Sequence, residues 1–207
     1  MKVIVLMENT ALEGCGLTPE HGLSLYIEYR GRKLLLDAGS SGKFADNAQA
    51  LGVDLTAVEL AALSHGHYDH ADGLRRFFQV NDRAKVYARP GAAGPYFSMR
   101  TDGPCFIGIH REIFAQSQDR FVSVDGLYPL MEGAWLAPDP VQAPDGSGRS
   151  DGLLFKRGED DFIPDDFRHE QSLVLEGEKG LVVFNSCSHS GIVPIVREVL
   201  DQLPGKQ

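Results

Sequence analysis

The sequence predicts an α/β protein in which two sheet-bearing halves pack face to face with helices outside. Three observations carry this. Two β-hairpins are legible, one early at 22–39 and one late at 171–186. Each half also holds a strand that runs through a histidine-bearing turn into a helix: "LSHGHYDHADGL" at 63–74 and "FNSCSHSGI" at 184–192. The chain of 207 residues is 43% hydrophobic and 24% charged, too apolar for a disordered chain and sufficient for a large core.

Taken in order, "KVIVLM" at 2–7 reads as a strand. Its apolar run breaks at Glu8 and Asn9, too soon for a secretory or transmembrane segment. "GLSLYIEYRGRKLLLD" reads as a hairpin turning at Arg30, Gly31 and Arg32. Phe44, Ala48 and Leu51 have helical spacing, and Gly52 supplies a stop. "AVELAALS" at 57–64 is a buried strand, with a helix as the alternative that its alanines and leucines allow. A helix over 70–81 and a strand over 84–88 follow.

Residues 90–119 lack a clear period and read as irregular, with at most a short helix; 120–137 hold short strands between turns. Residues 138–168 are rich in Asp, Gly and Pro and read as a lid-like connection. The late hairpin then leads to a helix over 190–203, with Ser190 as its cap and Pro194 in its first turn. The whole chain, 1–207, reads as a single domain.

A formal net charge of −9 repels phosphate backbones and anionic lipid. Nucleic acid and membranes are therefore not expected as partners, and a small-molecule substrate is; a homo-oligomer stays open. Cys15, Cys105 and Cys187 are odd in number and far apart, which fits a reducing, cytoplasmic setting rather than a disulfide framework.

The densest chemistry lies in "SHGHYDH" at 64–70. A strand ending there presents His65 and His67 on one side, because side chains alternate with period two. Gly66 lets the backbone bend, and Asp69 and His70 sit where the turn enters the helix. Imidazole nitrogen and carboxylate oxygen suit zinc, iron or manganese. A solvated polar turn is the bland alternative; crowding three histidines directly after a buried strand favours a divalent metal.

These residues carry a resemblance. "HGHYDH" matches the HxHxDH motif of the metallo-β-lactamase superfamily, and "DAG" at 37–39 resembles its supporting aspartate-glycine turn. "EHGLSLYIE", "LSHGHYDHADGL", "HEQSLVL" and "CSHSGI", in that order, resemble a subfamily of metal-dependent hydrolases that includes a dihydropterin-type synthase. The resemblance implies an αββα sandwich with metal at the edge between the sheets. It implies that His65, His67 and His189 hold a first ion, that Asp69 and His70 begin a second site, and that Asp37 orients the ligand loop from behind. One or two ions, zinc before iron or manganese, would activate a water, and Asp69 would hold that water or take a proton. The implied activity is hydrolysis of a small, phosphorylated or pterin-like molecule. The alternatives are a transferase condensing a pterin with an aminobenzene ribofuranosyl phosphate, and a non-catalytic metal-binding module. Relatives of this type place further ligands after the helix that follows "CSHSG", whereas no histidine follows His189 here. The expectation is a fold lacking its C-terminal strand and helix, with an incomplete second metal site.

Weaker signals complete the reading. His21, Tyr68, Lys156 and Arg168 are candidate substrate contacts, the two cations for a phosphate. His169 and Glu170 read as a polar strand start, His110 as incidental, and Cys187 as a small buried residue at a strand end.

Overall fold

The computed structural model describes residues 1–141 and 152–206. In chain order the strands and helices are β1 (Lys2–Met7), β2 (Ser24–Tyr29), β3 (Arg32–Leu36), α1 (Lys43–Ala50), β4 (Leu60–Ala62), α2 (Tyr68–Ala71), α3 (Leu74–Val80) and β5 (Lys85–Ala88). They continue as β6 (Tyr96–Arg100), β7 (Gly103–Phe106), α4 (Arg111–Gln116), β8 (Phe121–Ser123), β9 (Tyr128–Met131) and β10 (Ala134–Pro138). The last are β11 (Leu153–Lys156), β12 (Phe162–Pro164), β13 (Gln171–Gly177), β14 (Gly180–Phe184) and α5 (Ile192–Gln202). Contacts divide the chain into two compact units: Met1–Leu63 with His67–Ala88 and Ile109–Val122, and Ser64–Gly66 with Arg89–Gly108 and Ser123–Gln207. The boundary thus falls inside the histidine motif, between Gly66 and His67.

The first unit is built on a six-stranded sheet in the order β1-β2-β3-β4-β5-β8. β1, β2 and β3 pair antiparallel, and β3, β4 and β5 pair parallel. The early hairpin turns at Arg30 and Gly31, both left-handed (φ 47° and 76°), the geometry that matches strand twist in a two-residue turn. Parallel neighbours need crossovers, and α1 and then α2 with α3 supply them. α1 buries Phe44 and Ala48, the positions its spacing selects. The helix expected over 70–81 is two short helices instead, broken at Asp72 and Gly73. Gly73 passes so close to the β3–α1 loop that a Cβ there would lie 1.9 Å from the Ala38 carbonyl oxygen, and its N–H donates to Gly39 O (3.0 Å). The loop takes the bond that a continuous helix would have used.

The second unit holds two antiparallel four-stranded sheets, ordered β14-β13-β10-β9 and β12-β11-β6-β7. α5 covers the first of these. Val199 and Leu203 join Ala137 and Val174 in a buried cluster, with Trp135, Leu127, Leu181 and Val183 packed against it. The second sheet was hidden in the composition. Strands β6 and β7 lie in the stretch expected to be irregular, and β11 and β12 lie in the expected lid-like connection. They hold together through aromatic contacts between segments distant in sequence: Phe97 with Phe106 (5.4 Å) and Phe162 (5.1 Å), and Tyr96 with Phe155 (5.7 Å). The part of that connection at 142–151 lies outside the described residues. α5 also starts later than expected, at Ile192, with left-handed Gly191 (φ 86°) rather than Ser190 as its cap residue. The Ser190 N–H is engaged elsewhere, as described below. No helix among the described residues is long and apolar enough to cross a membrane.

Candidate metal centre

In the first unit, His67 stands in extended backbone at the N-cap of α2, and Asp69 and His70 lie within that helix. All three are buried. Asp37 follows β3 in left-handed backbone (φ 58°), and its buried carboxylate Oδ2 lies 2.8 Å from His70 Nδ1. The loop is tied on both sides: Asp37 N–H donates to Ala62 O (3.0 Å), and Ala38 N–H donates to His70 O (2.7 Å). With Nδ1–H committed to Asp37, Nε2 is the nitrogen of His70 left to act as a ligand.

That Nε2 lies 3.3 Å from Asp69 Oδ2, and His21 Nε2 lies 3.3 Å from the same oxygen. Burial works to raise the Asp69 carboxyl, but the hydrogen bond and charge of His70, aided by His67, outweigh it and hold the group at about 2. Asp69 is therefore an ionised carboxylate at neutral pH.

In the second unit, His65 follows β4 by way of Ser64, whose Oγ lies 2.9 Å from His65 Nδ1. His189 sits in the turn between β14 and α5. The two imidazoles meet edge to face, with ring centroids 5.1 Å apart and planes at 72°. Both Nε2 atoms are fully buried. Phe167 stacks on the His189 ring at 4.5 Å. Gly66 is obligatory in this unit, because a Cβ there would lie 2.3 Å from Ala92 O and 2.9 Å from the Tyr96 ring.

His169 and Glu170 are not an exposed strand start: they are 0% and 1% exposed. Gly66 N–H donates to His169 Nδ1 (2.9 Å), so Nε2 carries the ring proton and donates to Asp165 Oδ2 (3.1 Å). The Glu170 carboxylate accepts the backbone N–H of His189 and of Ser190, each at 3.0 Å. Burial raises the Glu170 carboxyl above the usual range against the pull of those donors. Asp139, which accepts from Ser172 Oγ (2.7 Å) and Asn185 Nδ2 (2.6 Å), is pushed up to about 7 by burial and by the charge of Glu170. Sequence reasoning passed over 169 and 170 because a His-Glu pair at a strand entrance has no spacing of its own. The signals were that they directly precede "QSLVL", a run that must be buried, and that "HEQSLVL" is among the motifs carrying the resemblance.

The other candidates are placed as follows. His21 is exposed apart from its contact with Asp69. Tyr68 is half-buried as the first residue of α2. Lys156 Nζ lies over the rings of Phe162 (5.3 Å) and Phe97 (5.9 Å). Arg168 is exposed and forks onto the Asp166 carboxylate, with Nε at 2.8 Å from Oδ2. Cys187 is exposed, contrary to expectation, in the turn that follows β14.

The donor chemistry suits a divalent cation. One unit brings two imidazoles with buried Nε2 atoms edge to face; the other gathers a carboxylate oxygen and an imidazole Nε2 whose far nitrogen is bonded to a second carboxylate. Within either unit a cation would satisfy such groups, whereas protons alone would leave like charges crowded.

Comparison with known proteins agrees with this chemistry. The family model described as the metallo-beta-lactamase superfamily matches residues 17–99. The 7,8-dihydropterin-6-methyl-4-(beta-D-ribofuranosyl)-aminobenzene-5'-phosphate synthase of Methanocaldococcus jannaschii is 24% identical over 96% of this chain and 71% of its own length. An uncharacterized protein of the same organism is 28% identical over 93% of this chain and 71% of its own. Among solved structures, a metal-dependent hydrolase of the beta-lactamase superfamily is 27% identical, covering 96% of this chain and 70% of its own with a TM-score of 0.77. Residues 17–99 thus match the metallo-beta-lactamase superfamily, and the fold is similar to that of a solved metal-dependent hydrolase of that superfamily.

Proposed function

We propose that the chain is a metal-dependent hydrolase. His65, His67 and His189 hold the first ion, and Asp69 and His70 open a second position. The observation that carries this is the meeting of the His65 and His189 rings, brought from turns more than a hundred residues apart, at 5.1 Å. His67, two residues from His65, supplies the third imidazole. Zinc fits an imidazole-rich set best, with iron or manganese as alternatives and one or two ions bound. A divalent ion supplies Lewis acidity and a nucleophile at neutral pH.

The chain's own residues do the rest. Asp37 holds His70 in one tautomer, and ionised Asp69 holds water or takes a proton at Oδ2. Buried Phe167 stacks on the His189 ring and covers one of its faces. The substrate is a small, phosphorylated or pterin-like molecule met by His21, Tyr68, Lys156 and Arg168. Arg168 is pre-oriented by Asp166, with the remaining guanidinium N–H groups available to an anion. Three cysteines, odd in number and far apart in the sequence, suit a cytoplasmic setting.

Hydrolysis is favoured by the relative with the TM-score of 0.77, whose description is a metal-dependent hydrolase. A second reading, a transferase condensing a pterin with an aminobenzene ribofuranosyl phosphate, is favoured by the name of the 24% identical relative. A product assay by mass separates the two, since a transferase joins two substrates. Metal bound without turnover of phosphodiesters, thioesters or pterin substrates would leave a binding module.

The metal reading is tested by His67→Ala. The variant should keep its circular dichroism and lose its metal by elemental analysis, along with any hydrolysis. Unchanged metal occupancy would refute the assignment.

A further inference from the structure

His169 and Glu170 lie where the turn closed by Glu170 N–H donating to Phe167 O (2.8 Å) enters β13, and each side chain is buried against a different segment. On one side, His169 Nδ1 accepts the N–H of Gly66, and the backbone N–H of Gln171 donates to Ser64 O (2.8 Å). On the other, Glu170 accepts the N–H groups of His189 and Ser190 through separate oxygens. One dipeptide therefore grips both histidine-bearing turns of the second unit. Its own position is set in turn: Asp165 accepts the proton of His169 Nε2, Tyr96 packs on the His169 ring at 4.0 Å, and Asp139 N–H donates to Glu170 O (3.1 Å).

We infer that His169 and Glu170 are positioning residues that set the separation of His65 and His189, and so tune the affinity of the metal centre without touching the ion. The inference rests on the metal reading above. The physical case is geometric. Two imidazole nitrogens bound to one zinc-type ion must each lie about 2.0–2.1 Å from it. Turns between secondary-structure elements do not hold such a spacing unless their backbone N–H groups are pinned. Here the pins are one neutral imidazole of defined tautomer and one carboxylate, both buried and adjacent in the chain. Since the two grips are adjacent residues at the entrance to β13, a shift of that entrance moves both turns together and preserves their spacing. Loss of either grip frees one turn relative to the other.

The test is cobalt(II) and zinc binding by chelator competition, with the cobalt absorption spectrum, on wild type, Glu170→Ala, Glu170→Gln and Leu175→Ala. Leu175 is a fully buried position of β13 that pairs with Ala134 of β10, away from both turns, and serves as a control for lost stability. Outer partners of ligating histidines typically contribute about 10- to 100-fold to affinity. Glu170→Ala should fall at the upper end of that range with an altered cobalt spectrum. Glu170→Gln, which keeps one acceptor oxygen and its shape, should fall at the lower end and preserves the test if the alanine variant does not fold. Leu175→Ala should unfold more readily yet bind with wild-type affinity and spectrum. Wild-type affinity in Glu170→Gln, or equal weakening by Leu175→Ala, overturns the positioning role while leaving the metal centre standing. Failure of the wild type itself to bind either ion overturns both.

Discussion

Asp37 and His70, thirty-three positions apart, meet as a fully buried pair with carboxylate oxygen and imidazole Nδ1 separated by 2.8 Å. Asp37→Asn keeps the left-handed backbone that Asn tolerates and removes only the charge. It should cost about 1–3 kcal/mol of stability in urea unfolding and weaken metal binding by about 10- to 100-fold. Asp37→Ala should cost more, since it strips the acceptor and strains the backbone.

Gly66→Ala should be severely destabilising. Its Cβ would overlap Ala92 O at 2.3 Å, and that neighbour is backbone rather than a flexible side-chain end. The variant should show a lowered melting temperature and lose metal even though every ligand remains. Ala at Gly52, where a Cβ meets nothing within 4 Å but φ is 69°, should show only the milder cost of backbone strain.

Asp139 predicts a pH dependence. Its carboxyl is raised to about 7 in the folded state by burial and by the charge of Glu170. Between the ordinary carboxylate range and about 7 the folded state binds the extra proton, so stability falls as pH rises through that window. Each pH unit of displacement is worth about 1.4 kcal/mol, so the total effect is at most ~4 kcal/mol. Denaturant unfolding from pH 4 to 8 should show a downward slope that Asp139→Asn flattens. An equal slope in the variant would assign the dependence to another group.

α5 supplies a packing contrast. Val199 is 1% exposed within the cluster of Ala137, Val174 and Leu203, whereas Val196 is 39% exposed on the same helix. Val199→Ala should cost about 2 kcal/mol through lost burial and the residual cavity, and Val196→Ala less than about 0.5 kcal/mol. Melting temperatures of the two variants check this directly.

Local order was legible wherever one segment carried its own instruction. The Arg30-Gly31 turn, the apolar face of α1, the late hairpin and the HGHYDH cluster each satisfy a short-range rule: turn chemistry, a period of 3.6, a period of two, or ligand spacing. What escaped were elements whose stabilising partners lie far away. β6, β7, β11 and β12 are short and Gly/Pro-flanked, and they form a sheet through antiparallel pairing supported by mutual aromatic contacts. Likewise α2 and α3 read as one helix until the β3–α1 loop claims the backbone at Gly73.

By itself, then, the sequence determined that this chain is α/β and that it carries imidazoles and carboxylates in a metal-ligand pattern, and the resemblance pointed to Asp37 and His189. Tertiary structure alone decided that His169 and Glu170 are buried and bonded rather than a polar edge, that Ser190 gives its N–H to Glu170 instead of capping α5, and that Cys187 is exposed. The physical reason is that each of these depends on which buried donor meets which acceptor across long sequence separations. Burial makes an unmet polar group costly, so the folded chain, not the local residue pattern, selects the partners.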